Sequence, residues 1–476
     1  MTRRGRPALA FAIVVLLLGT PDAQRTAGQS LSTLTGAPQL LRAYDAIFDA
    51  RFDEVPDLLA RTCPPAPSEA CQVLDAVGVW WQIQLDPLSK ARDRLFQSKV
   101  DAAIAAADAW VKREPQRAEA WFYAGGAYGA RAQWRVLRGE RLGAARDGKR
   151  IKESLERAIA LDPRLQEAYF GIGLYHYYAD VAPTAAKMLR WLLWLPGGDK
   201  DQGLREMLRA RQNGELMRDE ADYQLHVIYL WYEKQPGRAL ELLEGLRDRH
   251  PRNPLFLQLI ADVQDRYLHD LTASLRSWQA LLDAARARRV AFPALAETRG
   301  RLGAALELDR LFETDAAIVH LRAVIEANPA EPSEAVAQAQ RQLRLALDRM
   351  NDPAYRLSIE GWRALQRGDL MAATQSLTQA LALKPDDPVT RFRRAQLLLA
   401  QRNDAAALSV LEGLVHAQAT TPPTIYASAC LDAARVYERQ RATARAIDLY
   451  RAARGVFGAD QRTKDAADRA LARLAL

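Results

Sequence analysis

Cysteine is scarce: the 476-residue chain holds three, Cys63, Cys71 and Cys430. None sits in a Cys-x-x-Cys or Cys-x-x-Cys-His context, so thiol–disulfide redox chemistry and covalent haem attachment find no support. Histidine is sparse too, with six dispersed residues: His176, His226, His250, His269, His320 and His416. No two are one helical turn apart, the spacing that would aim both imidazoles at one metal ion. Gly-x-Ser-x-Gly is absent. Gly198 and Gly203 lie five apart, but Leu204 and Arg205 follow where a phosphate loop needs Lys and Ser or Thr. No period-two run of Val, Ile and Thr occurs, so strands are not expected. No stretch reaches the about 18 uninterrupted apolar residues of a membrane-spanning helix. These absences predict a non-enzymatic chain with no cofactor and no metal.

One-signed charge is also lacking. Basic residues number 66 and acidic residues 58, a formal excess of +8. The two signs alternate along the chain, as in Arg205-Glu206 and Arg218-Asp219-Glu220. A nucleic-acid binder concentrates its cations, so no nucleic-acid partner is expected.

The N-terminus reads as an address. Arg3, Arg4 and Arg6 precede an apolar run from Ala8 to Leu18 and then Gly19-Thr20-Pro21-Asp22-Ala23. This is the pattern of a secretory signal peptide over residues 1–23. Pro21 weakens the cleavage site, which leaves an uncleaved anchor as the alternative. Either form predicts export to the periplasm or cell envelope. Residues 24–38, rich in Gly, Ser, Thr and Gln, read as a linker. In an oxidising compartment Cys63 and Cys71, on either side of Pro64-Pro65-Ala66-Pro67, are candidates for a disulfide; two unpaired thiols at helix ends are the alternative.

What is present is one spacing, used five times. Ala103-Ala107-Trp110-Pro115, Ile151-Leu155-Ala158-Pro163 and Ala239-Leu243-Leu246-Pro251 share it. So do Ala317-Leu321-Val324-Pro329 and Ala373-Leu377-Ala380-Pro385. Steps of four and three put the apolar residues on one helical face, and Pro stops the helix. A small residue stands twelve positions before the first Ala of such units: Ala261, Gly361, Ala395 and Ala434. Small side chains there let two helices cross closely. Polar turns lie between, at Arg367-Gly368-Asp369 and Arg402-Asn403-Asp404, with Gly ending the first helix and Asp capping the second.

These residues resemble the tetratricopeptide repeat family, built on a 34-residue helix pair. Trp121, Gly125 and Tyr128 match its first helix, as do Tyr169, Ile172 and Gly173. The resemblance covers most of residues 85–460. It implies an all-α, right-handed solenoid of antiparallel helix pairs whose concave face binds a protein or peptide. Two insertions interrupt it, at 131–149 and 179–200. The expected organisation is an N-terminal repeat region over 39–290 with aromatic-rich insertions, then a C-terminal repeat region over 291–476 with a capping helix.

Expected groove residues follow from which side of each first helix faces its partner. In one unit they are Phe170, Leu174, Tyr177 and Tyr178, and in the next Gln224, Ile228, Trp231 and Tyr232. Trp362 and Phe392 fall on the same face further along. The alternative is that the 179–200 insertion covers these aromatics. Trp191 and Trp194 within it are candidates for a membrane or partner contact, or for a core helix. Two functions result: an interaction scaffold of the cell envelope, or a membrane-peripheral protein that binds lipid or an apolar ligand through residues 188–195 and the aromatic pocket.

Overall fold

The structure, a computed structural model, describes residues 34–181, 197–327 and 334–474. Among these there are 22 helices and no strand. The expected leader, residues 24–33 of the expected linker, and Trp191 and Trp194 lie outside the described residues.

The first helices are α1 (Ala37–Phe48), α2 (Val55–Thr62), α3 (Ser68–Leu85) and α4 (Asp93–Arg113). Then come α5 (Ala118–Arg138), α6 (Arg141–Leu161), α7 (Ala168–Val181), α8 (Lys200–Asn213), α9 (Arg218–Trp231) and α10 (Pro236–Arg249). The middle holds α11 (Pro254–Arg266), α12 (Leu271–Arg286), α13 (Pro293–Arg310), α14 (Thr314–Glu326) and α15 (Glu334–Asn351). The chain closes with α16 (Pro353–Gln366), α17 (Leu370–Leu383), α18 (Pro388–Ala400), α19 (Asp404–His416), α20 (Pro423–Arg439), α21 (Thr443–Gly455) and α22 (Gln461–Leu474). Each packs chiefly on its neighbours in sequence, the arrangement of a solenoid.

The repeated spacing does what its periodicity predicts. Ala103, Ala107, Leu155, Ala158, Ala239, Leu243, Leu246, Ala317, Val324, Ala373 and Leu377 are all buried, each at the seam of its pair. The turns vary in detail. Gly368 takes a left-handed φ of 79° and the Asp369 carboxylate accepts from the Ala372 N–H at 3.0 Å. At the next turn Arg402 takes the left-handed φ, 58°, and Asn403 rather than Asp404 supplies the cap. Asparagine offers the same acceptor one residue earlier.

The first insertion is helical, and of the second the described residues 179–181 continue α7 while 197–199 have no regular structure. Residues 131–149 lengthen both members of one pair, so α5 and α6 each run 21 residues. Gly139 closes α5 with a left-handed φ of 78° and makes the sharp reversal. After the second insertion, Asp199 caps α8 by accepting from the Gln202 N–H.

Three local features depart from the linear order. Helix α1 begins inside the expected linker, with Leu34 and Ala37 already buried. Cys63 and Cys71 are joined in a disulfide between α2 and α3. Leu257, Leu281, Val290 and Ala296 pack in one cluster, so the core runs without a break past residue 290.

A close crossing lies between α7 and α8. A Cβ on Gly173 would lie 2.7 Å from the Gly203 carbonyl oxygen, and one on Gly203 would lie 2.6 Å from the Tyr177 backbone nitrogen. Both neighbours are backbone and neither can swing aside. Gly203→Ala is therefore expected to destabilise the chain by roughly 1–3 kcal/mol, measured as a lower urea midpoint; an unchanged midpoint would contradict the crossing.

Candidate functional site

The inner face of the solenoid, lined by the first helix of each pair, is already occupied in the N-terminal half. Helices α1 and α3 lie on it. The Tyr44 hydroxyl donates to Glu220 Oε2 at 3.1 Å, and Asn253 Nδ2 donates to the Phe48 carbonyl at 2.7 Å. The Arg252 N–H donates to Asp49 Oδ1 at 2.9 Å. Arg299 Nη2 donates to Asp86 Oδ1 at 3.1 Å at the end of α3. Between them sits an aromatic cluster. The Phe48 and Trp81 rings are 4.4 Å apart, Trp81 and Tyr223 5.0 Å, and Phe48 and His250 5.4 Å.

Four expected groove residues do not line an open groove. Phe170, Tyr177, Gln224 and Ile228 are buried instead of facing an open groove. Helix α9 shows why: Ala221, Leu225 and Tyr229 pack on one side while Gln224 and Ile228 are covered on the other. The Gln224 amide donates to Gln133 Oε1 at 3.3 Å, so its polar end is satisfied within the fold. His226 is buried beside Tyr223, and desolvation pulls its imidazole down from 6.5 to about 4.

Leu174, Tyr178, Trp362 and Phe392 are half-buried. Trp231 and Tyr232 are exposed, at 56% and 41%. The structure therefore brings part of the expected set together. Tyr232 meets Tyr177 edge-on at 5.8 Å and Tyr178 at 5.6 Å, with Trp231 next to it in sequence at the end of α9. Trp362 and Phe392 belong elsewhere. The Trp362 Nε1–H donates to Glu313 at 3.0 Å with the Arg393 guanidinium over its ring, and Phe392 packs between α18, α19 and α20.

The tyrosine site has a defined polarity. The Tyr177 hydroxyl donates to Glu233 Oε1 at 2.6 Å, and Lys200 Nζ approaches the same oxygen at 3.5 Å. Burial, then the Glu233 contact, raise the Tyr177 phenol well above its usual range; burial, then Tyr232, raise Tyr178. Both stay protonated, so they are poor nucleophiles. The site offers fixed ring edges and faces around one paired carboxylate, which suits recognition of an apolar or aromatic side chain. Among the described residues no group of three or more His, Cys, Asp or Glu is placed to hold a metal ion.

Sequence reasoning missed the occupants of the inner face, Tyr44, Phe48 and Trp81, and the Phe256 ring of α11 that meets Trp81. A signal for Trp81 existed. Helix α3 is apolar nearly all round, with Val73, Leu74, Ala76, Val79, Trp80, Trp81, Ile83 and Leu85 buried, and such a helix is enclosed on every side.

Comparison with known proteins agrees with this architecture. The sequence model of the tetratricopeptide repeat matches residues 364–427, covering parts of α16 to α20. A relative from Pseudomonas fluorescens (strain SBW25), cellulose synthase operon protein C, is 35% identical over 100 residues, 21% of this chain. The match spans 8% of that relative's length. Among solved structures, the P58(IPK) TPR domain is 13% identical with a TM-score of 0.29, covering 85% of this chain and 98% of its own. The APC/C hetero-tetramer Cut9–Hcn1 is 13% identical with a TM-score of 0.25, covering 91% and 88%.

Two variants separate packing from surface. Trp231→Ala is expected to leave stability within about 0.5 kcal/mol, because the ring is exposed. Tyr177→Ala is expected to lose roughly 3 kcal/mol or more, because it opens a cavity and leaves Glu233 without its donor. Equal losses in chemical denaturation would contradict the assignment. A third variant tests the pH dependence. His226 is neutral in the fold, so stability is full above 6.5 and falls as pH drops toward about 4. His226→Leu is expected to flatten that part of the curve; an unchanged slope would contradict burial of the imidazole.

Proposed function

For this chain of tetratricopeptide repeats, we propose a non-enzymatic interaction scaffold of the cell envelope that holds a partner protein at the Tyr178–Trp231–Tyr232 surface. The observation that carries the reading is the exposure of Trp231 and Tyr232 on an otherwise buried helix. Solvent-exposed aromatics cost hydration, and rings already fixed against Tyr177 and Tyr178 lose little freedom when a partner covers them. The partner is a protein segment that brings an apolar or aromatic side chain. Glu233, held by Tyr177 and Lys200, sets the polar edge of the contact. Export supports the envelope location: the Arg-rich start, the apolar run to Leu18 and the Cys63–Cys71 disulfide are consistent with it.

Repeat solenoids present extended surfaces for such contacts. Here the filled inner face moves the contact from the middle of the groove to the end of α7 and α9. A photo-reactive amino acid at position 231 in the native envelope tests this. One discrete crosslinked product at 231, absent with the probe at the exposed Val319, is the expected result. Equal patterns at both positions would overturn the reading.

A further inference from the structure

The α5–α6 hairpin is longer than a regular pair such as α16–α17. Each of its helices has 21 residues, as α4 has, against 14 in each of α16 and α17. Seven extra residues project its end by roughly 10 Å. At that end Val136, Leu137 and Leu142 are exposed, at 68%, 37% and 55%. Leu88, 77% exposed, joins them through Arg138, whose Nη1 donates to the Pro87 carbonyl at 2.7 Å and Nη2 to the Ser89 carbonyl at 2.8 Å.

The tip is rigid. Arg138 also binds Asp93 through both Nε and Nη2, and the Trp134 Nε1–H donates to the same carboxylate at 3.2 Å. Arg135 crosses the hairpin to Asp147 at 2.6 Å and to the Gly143 carbonyl at 3.1 Å. Projecting apolar side chains thus stand on a braced scaffold and not on a loose loop.

Charge concentrates at the same place. Residues 131–156 hold eight Lys or Arg and four acidic residues, a local excess of +4 in a chain whose total is +8. The acids are engaged: Asp147 is buried between Arg131 and Arg135, Glu140 lies 3.6 Å from Arg135, and Glu153 and Glu156 pair with Lys149, Arg150 and Lys152. Lys90, Arg94, Arg141 and Arg146 are exposed, and the described residues give them no ion pair. Exposed leucines ringed by uncommitted cations match a bilayer surface, where apolar side chains enter the headgroup boundary and cations meet anionic lipid. A single-stranded nucleic acid would call for base-stacking aromatics, and the tip's Trp134 is only 4% exposed.

We propose that the tip of the α5–α6 hairpin, with Leu88 and the cations Lys90, Arg94, Arg141 and Arg146, docks the protein on an anionic phospholipid surface. Its side chains differ from those of the tyrosine site. Among the described residues no helix is long and apolar enough to cross a membrane, so the contact proposed is with the surface.

The test floats the chain from Gln24 onward, which keeps every described residue, with phosphatidylcholine vesicles that contain or lack about one-third phosphatidylglycerol. Flotation with the anionic vesicles alone, weakened by added salt, is expected. Leu137→Ser/Leu142→Ser and Arg141→Gln/Arg146→Gln should each lower the partition coefficient about tenfold or more, with helix content unchanged. Met371→Ser, at an 83% exposed site outside the hairpin, should leave it unaltered. No flotation of the parent chain, equal flotation with neutral vesicles, or hairpin variants that bind like the parent would overturn the proposal. So would RNA binding lost in the Arg141→Gln/Arg146→Gln variant without any vesicle binding.

Discussion

The burial of Phe48 and Trp81 against Tyr223, His250 and Phe256 is the contact on which the rest of this molecule depends. It fastens the first hairpin to helices about 150–200 residues further along the chain, where a solenoid on its own would have only neighbour contacts. Aromatic rings bring large area into that interface, and the polar ends around them are met by Tyr44–Glu220 and Asn253–Phe48. With the inner face filled in the N-terminal half, the surface proposed for a partner lies at the ends of α7 and α9.

That constraint explains the layout of what remains exposed. Trp231 and Tyr232 come just past the reach of α1 and α3, at the last turn of α9. The Gly173–Gly203 crossing brings α7 close to α8, and Tyr177 on α7 donates to Glu233 just past the end of α9. The lengthened α5–α6 hairpin carries its own arginine bracing and leaves spare cations beside exposed leucines. The proposed partner and membrane contacts use different side chains of one scaffold, each near an interruption of the regular repeat.

The repeat itself was legible because its signals are local. A period of 3.6, a small residue at the crossing and a terminal Pro each act within one helix pair, and Ala239, Leu243 and Leu246 are buried as their spacing predicts. The insertion at 131–149 was legible as an interruption but not as helix, since Arg, Ala and Leu continue a helix as readily as they fill a loop. The inner-face occupants were not legible. Whether Trp81 meets solvent or Tyr223 depends on a contact far away in sequence, and periodicity carries no information about it. The linker illustrates the same limit: its composition is polar, yet Leu34 and Ala37 are buried by residues that pack from elsewhere.

The central claim is that the N-terminal hairpin occupies the inner face, and a double-mutant cycle between Tyr44→Phe and Glu220→Gln measures it most directly. These side chains are 176 positions apart and share a buried hydrogen bond. The account predicts a coupling energy of about 1 kcal/mol or more. Additive effects, with a coupling near zero, would show that the hairpin lies elsewhere and that the inner groove is open.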